Sequence, residues 1–149
     1  MRSLILYVTY SGNTEEIAKL IEKTAKKKGF EVVCYDLFQQ TKSFDFATYD
    51  VIFLGSFTWN YGEIPDELED FLQGIELDHE QVAVFGSGDT QFGGDALYCK
   101  AVERLVRIFS SKWSGLKIEQ SPRGSQEELV VDWAERVLDD VKTIDESKN

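Results

Sequence analysis

Short apolar runs alternate with amphipathic stretches along the whole chain. Residues 4–7, 31–35, 51–54, 82–85 and 116–119 are rich in aliphatic, β-branched and aromatic side chains and have the length of strands. Between the first two runs, Ile17, Leu20, Ile21 and Thr24 recur at helical spacing from a start at Glu15, with Gly29 where a helix C-cap belongs. Pro65 stands at a favoured first helical position, and Leu68, Phe71 and Leu72 form the inward stripe behind it. Tyr98, Ala101, Val102, Leu105 and Phe109 mark the next helix. The closing one is the clearest, with Val130, Trp133, Ala134, Val137, Leu138 and Val141 on one face. Residues 39–48, with Phe44 and Phe46, are less periodic and predict at most a short helix; a polar tail is expected after Ile144.

Five strands alternating with helices predict an α/β fold: a doubly wound parallel sheet with helices on both faces, because parallel crossovers are right-handed. The almost wholly apolar run at 51–54 suits a strand buried on both sides. In such sheets ligands sit beyond the carboxyl ends of the strands, where the winding reverses. Three unusual loops follow strands one, three and four, at the ends that converge there.

The first loop reads Thr9, Tyr10, Ser11, Gly12, Asn13, Thr14. Backbone amides and short hydroxyls at a helix N-terminus offer donors to a phosphate, and the helix dipole favours its charge. The loop lacks the Gly-Lys-Ser/Thr of a Walker A motif and the three glycines of a dinucleotide fingerprint. The alternative is a polar turn in which Ser11 or Thr14 only caps the helix. The second loop, Gly55-Ser56-Phe57-Thr58-Trp59-Asn60-Tyr61-Gly62-Glu63, sets large aromatics among turn residues, which suits stacking on a flat ring. The third, Gly86-Ser87-Gly88-Asp89-Thr90-Gln91-Phe92-Gly93-Gly94-Asp95, has glycines that allow close backbone approach to a ligand. A phosphate cradle with two aromatic loops describes a site for a mononucleotide with a planar head group.

Composition narrows the picture. The 149 residues suit one domain, residues 1–149 with the polar tail from about 145, and 42% apolar content argues for a folded globule. A net charge of -11 repels nucleic acid and anionic membrane and points to basic protein partners, although surplus acid also simply solubilises. Cys34 and Cys99 form no CxxC pair, so neither a zinc site nor a dithiol motif is expected. Two buried thiols, no signal-like segment and no bilayer-length apolar run lead to the expectation of a cytoplasmic protein. His79, the single histidine, lies in a polar turn and reads as a surface residue; Trp113 and Trp133 read as packing residues. No nucleophile-base pair or metal cluster stands out, so side-chain catalysis is not expected and a cofactor would supply the chemistry.

Taken together, these motifs resemble flavodoxin, the small carrier of flavin mononucleotide (FMN), across nearly the whole chain. The likeness rests on residues 9–14, on Thr58-Trp59 followed by Gly62-Glu63-Ile64-Pro65-Asp66-Glu67, and on Gly86-Ser87-Gly88-Asp89. The chain lacks the insertion that splits the fifth strand of long-chain members and so is similar to the short-chain type. The resemblance implies strand order 2-1-3-4-5 and no catalytic or metal-binding residues. It puts the FMN phosphate on Thr9, Tyr10, Ser11, Gly12, Asn13 and Thr14, and the first flavin loop on Phe57, Thr58, Trp59, Asn60, Tyr61 and Gly62. Trp59 would cover one ring face and Thr58 would hold phosphate or ribityl oxygens. Main-chain groups of Ser87, Gly88 and Asp89 would meet the pyrimidine edge. The outer ring face falls to Phe92 or to Tyr98, whose helical spacing also suits the core.

Where the family usually has Gly-Asp after the tryptophan, this chain has Asn60-Tyr61. That peptide turns over on reduction in the family, and asparagine tolerates positive φ less well than glycine. The one-electron-reduced state is therefore expected to be less populated here. Glu63, Asp66, Glu67, Asp89 and Asp95 beside the loops should disfavour an anionic reduced cofactor. Two charges ~10 Å apart interact by roughly 0.4 kcal/mol in water and about 1.7 kcal/mol at an effective dielectric of 20. Asp66 and Glu67 also suit a helix N-terminus.

The resemblance implies a low-potential one-electron carrier, a monomer working between a flavodoxin reductase and basic-faced acceptors, with no nucleic acid or membrane partner. Alternatives on the same fold are a flavoprotein activating manganese ribonucleotide reductase and an FMN-dependent quinone or nitro reductase. A phosphoacceptor receiver domain would need acids after strand one, an aspartate ending strand three and a late lysine; Thr9, Gly55 and the missing lysine oppose it.

Overall fold

The computed structural model describes residues 1–9, 12–38, 44–58, 64–73, 81–88 and 99–147. In chain order they form β1 (Arg2–Tyr7), α1 (Asn13–Lys27), β2 (Glu31–Asp36), a single 3-10 turn (Phe46–Thr48), β3 (Val51–Phe57), α2 (Asp66–Gln73), β4 (Val82–Gly88), α3 (Lys100–Phe109), β5 (Leu116–Glu119) and α4 (Ser125–Ser147). The strands make one parallel sheet in the order β2-β1-β3-β4-β5, as the alternation of elements and the family resemblance predict.

Side chains alternate across a strand, so each buried strand feeds two cores. Ile5, Phe53 and Phe85 face α1 and α4, joining Ile17, Ile21, Trp133 and Leu138. Leu4, Leu6, Ile52, Leu54, Val82 and Val84 face the other layer, joining Leu68 of α2 and Val102 and Leu105 of α3. Both faces being covered, the central strands read as continuous apolar runs. Trp133 fills the first core beside Phe53, with ring centroids 5.7 Å apart, and its indole N–H donates to the Ser114 carbonyl at 2.7 Å. Trp113 packs on the same cluster and donates to Asp140 at 2.9 Å.

Several boundaries differ from the sequence expectation. Helix α1 starts at Asn13 rather than Glu15, and its C-terminal turn closes through Lys28, with Gly29 at φ 87° just beyond. Of the weak segment at 39–48, the described part forms only the turn at Phe46–Thr48, with Phe44 and Phe46 packed on the second core. Helix α4 runs through Ser147, so the polar residues after Ile144 continue its last turns. Cys34 is half-buried rather than buried, because β2 is an edge strand; Cys99 is fully enclosed, and both are free thiols.

The largest difference concerns the glycines expected to open loops. Strands β3 and β4 continue past Gly55 and Gly86, with Ser56 paired to Gly86 and Phe57 to Ser87. A Cβ on Gly86 would lie 2.4 Å from Val102 Cγ2 and 2.6 Å from the Ser56 carbonyl oxygen. Gly86 therefore admits α3 to the sheet. Gly55 does the same for the Phe85 ring, which a Cβ would meet at 2.2 Å.

Gly86→Ala should lower stability by about 1–3 kcal/mol, the usual cost of overpacking against groups that cannot retreat, read as a lower urea midpoint at unchanged slope. Burial, followed by the Glu22 carboxylate, pushes the Cys34 thiol up from 9.0 to about 11. The native state thus holds a proton that the unfolded chain releases. The associated stability is complete below pH 9 and is lost as pH rises towards 11. Cys34→Ala should show a shallower fall in stability than the parent chain across that window, measured by urea unfolding.

Candidate functional site

The carboxyl ends of β1, β3 and β4 lie side by side, with Tyr7 paired to Gly55 and Phe57 to Ser87. Beyond Tyr7, the Val8 amide still donates to the Gly55 carbonyl at 3.1 Å before the chain leaves the sheet. Tyr7 itself is buried. Burial, then the Glu15 carboxylate, hold its phenol well above the usual range, so it stays neutral at any physiological pH.

Gly12 is the N-cap of α1, at φ 91° and ψ -5°, a conformation for which a side chain would be strained. Its amide donates to the Thr9 hydroxyl oxygen at 3.0 Å, closing the turn on itself, and among the described residues no side chain caps the helix. Thr14 is therefore not the cap that the alternative for this turn required. The first intrahelical bond runs from the Glu16 amide to the Gly12 carbonyl, so the Asn13, Thr14 and Glu15 amides precede the helical ladder. With the positive end of the helix dipole behind them and no carboxylate within residues 9–14, they form a donor set suited to an anion. Among the described residues no group of histidine, cysteine, aspartate and glutamate could hold a metal.

Four neighbours pin this turn and the adjoining strand ends. The Thr14 and Ser87 hydroxyls hydrogen-bond at 3.0 Å in the interior, joining the first turn of α1 to the end of β4. Ser121 donates to the Asn13 side-chain oxygen at 2.5 Å, bringing in the turn after β5. The Gly88 carbonyl accepts the Gln120 amide at 2.7 Å. The Thr58 hydroxyl accepts the Ala101 amide at 3.2 Å, satisfying the start of α3, while the thiol of the N-cap residue Cys99 points to the Gly86 and Ile118 carbonyls instead of the helix amides. Phe57 turns towards the second core, its ring centroid 6.2 Å from that of Phe38.

Of the residues proposed from the sequence, Thr9, Gly12, Asn13, Thr14, Ser87 and Gly88 are thus brought together. Phe57 and Thr58 sit at the same strand ends but engage the α3 side. Tyr10, Ser11, Trp59, Asn60, Tyr61, Gly62, Asp89, Phe92 and Tyr98 lie outside the described residues. Ser121 was missed from the sequence. The turn-forming run Gln120-Ser121-Pro122-Arg123-Gly124-Ser125 was the available signal for it. Grooves of about 550 and 600 Å³ open elsewhere, on the outer sides of α1 and α4 and around Trp113, and neither is lined by these loops.

The sequence profile described as Flavodoxin matches residues 5–133. The chain belongs to the flavodoxin family. It is 33% identical over 138 residues to the Probable flavodoxin 2 of Bacillus subtilis (strain 168), a match covering 87% of this chain and 89% of that one. Its backbone superposes on oxidised Flavodoxin 2 from Bacillus cereus with a TM-score of 0.78 at 36% identity, covering 94% of this chain and 99% of the other. The Streptococcus pneumonia TIGR4 flavodoxin gives 0.82 at 26% identity, with 94% and 99% covered. It is of the short-chain type, β5 passing directly into the turn at 120–124 and then α4. Flavodoxins are electron-transfer proteins whose cofactor is FMN, and the donor set at α1 fits the phosphate end of that group. No described helix is long and apolar enough to cross a membrane.

Thr58→Val removes the acceptor for the Ala101 amide while keeping the side-chain shape. Stability should fall by about 1 kcal/mol, the usual worth of a helix-capping oxygen, measured by urea unfolding of the cofactor-free protein.

Proposed function

We propose that this flavodoxin is a low-potential one-electron carrier between a reductase and acceptor redox proteins. The observation that carries it is the turn of hydroxyls and unpaired helix amides leading into α1, pinned against the end of β4 in a chain of net charge -11. Bound FMN supplies the redox chemistry. Residues 9–14 hold its phosphate, with the Thr9 oxygen occupied by Gly12 and its O–H still a donor. Thr58 reaches phosphate or ribityl oxygens with its remaining proton. Trp59 shields one face of the ring, Phe92 or Tyr98 the other, and backbone groups of Ser87, Gly88 and Asp89 meet its edge.

The acids at the start of α2, Asp66, Glu67 and Glu69, and those of the loops set a negative environment that opposes an anionic reduced cofactor and lowers its potential. The same charge steers basic faces of reductase and acceptor towards the site, so association slows as salt rises. The Asn60-Tyr61 pair favours a second reading, a specialised carrier such as an activator of manganese ribonucleotide reductase.

The protein purified with its cofactor should show flavin absorption and, on stepwise reduction, a one-electron-reduced fraction well short of completion at the midpoint. A near-complete one-electron state would refute the expected effect of Asn60-Tyr61. Failure to bind FMN would refute the carrier assignment, and sustained oxidation of NAD(P)H with a quinone and no partner would replace it with an enzyme. Trp59→Ala should weaken FMN binding by about 1–3 kcal/mol, the range for stacking a nucleobase on an aromatic side chain, read by fluorescence titration.

A further inference from the structure

Thr14 and Ser87 are 1% and 3% exposed, and their hydroxyl oxygens lie 3.0 Å apart. Each hydroxyl has one proton and two acceptor sites, so one of the pair donates and the other keeps its proton for a third group. Apart from each other, neither hydroxyl has a side-chain partner among the described residues. Ser87 is held in β4 by its pairing with Phe57, and Thr14 belongs to the first turn of α1, where the amides converge.

A phosphoryl oxygen only accepts hydrogen bonds. If the Thr14 hydroxyl is to donate to it, the Thr14 oxygen must accept its bond from Ser87. We propose that Ser87 is a positioning residue for the phosphate subsite: its O–H donates to Thr14, which commits the Thr14 proton to the bound phosphoryl group. This rests on the phosphate placement proposed above. It gives Ser87 two duties, its backbone at the ring edge and its side chain at the phosphate end. A chain of hydroxyls polarised in one direction strengthens each bond along it, so the pair acts as a unit.

The test is titration of the cofactor-free protein with FMN and with riboflavin, which lacks the phosphate. Ser87→Ala should weaken FMN binding about 3- to 10-fold more than it weakens riboflavin binding, the range of one hydrogen bond. Thr14→Val should do the same, and the double variant should bind FMN no worse than Thr14→Val alone. Ser87→Thr, which keeps the hydroxyl, should retain FMN affinity. Equal losses for FMN and riboflavin, additive losses in the double variant, or an FMN affinity in Ser87→Thr as low as in Ser87→Ala would each overturn the proposal. Should Ser87→Ala not fold, Ser87→Cys, a much weaker donor, takes its place in the same comparison. A parent chain that prefers FMN no more than riboflavin would refute the phosphate placement itself, and that outcome is separate from those read on the variants.

Discussion

A parallel sheet covered by helices on both faces presents its polar backbone to water at its ends and along its two edge strands, not across its faces. Here Leu4 and Ile5, Ile52 and Phe53, and Val84 and Phe85 point alternately into two apolar cores, which offer a charged phosphate no partner. The described hydroxyls and amides of the candidate site lie at the strand termini. The reversal of winding between β1 and β3 then places three of those termini next to one another.

That constraint explains the small residues at the sheet end. Gly55 and Gly86 lie inside paired strands, where the Phe85 ring and Val102 occupy the space of a side chain. They let α3 and its partners settle close to the sheet, which brings Ala101 within reach of the Thr58 hydroxyl. Gly12 is different in kind. Its positive φ turns the chain from β1 into α1, and as the N-cap it has no side chain to occupy the first helix amides. Residues 9–14 carry no carboxylate, but Glu15 and Glu16 follow in the first turn of α1, so it is the free amides and the helix dipole that favour an anion there.

Much of the fold was legible because burial on both faces leaves a periodic signature. The runs at 51–54 and 82–85 announced central strands, and the stripe from Val130 to Val141 announced the closing helix. Less was legible at the site. The motif at 9–14 was visible as composition, but the start of α1 was placed two residues late because Gly12, a poor helix former, acts as its cap. Gly86 reads in the sequence as the start of a loop yet lies within β4, because a glycine required by packing and one required by a turn look alike in one dimension.

The chain by itself determined the element order, the two apolar faces of the sheet and the donor character of its first turn, since these follow from local periodicity and side-chain type. Tertiary structure alone decided that Thr14 meets Ser87, that Ser121 holds Asn13 and that Thr58 serves α3. Those bonds join residues distant in sequence, and a hydroxyl carries no mark of its partner until strand register and helix docking set the distance.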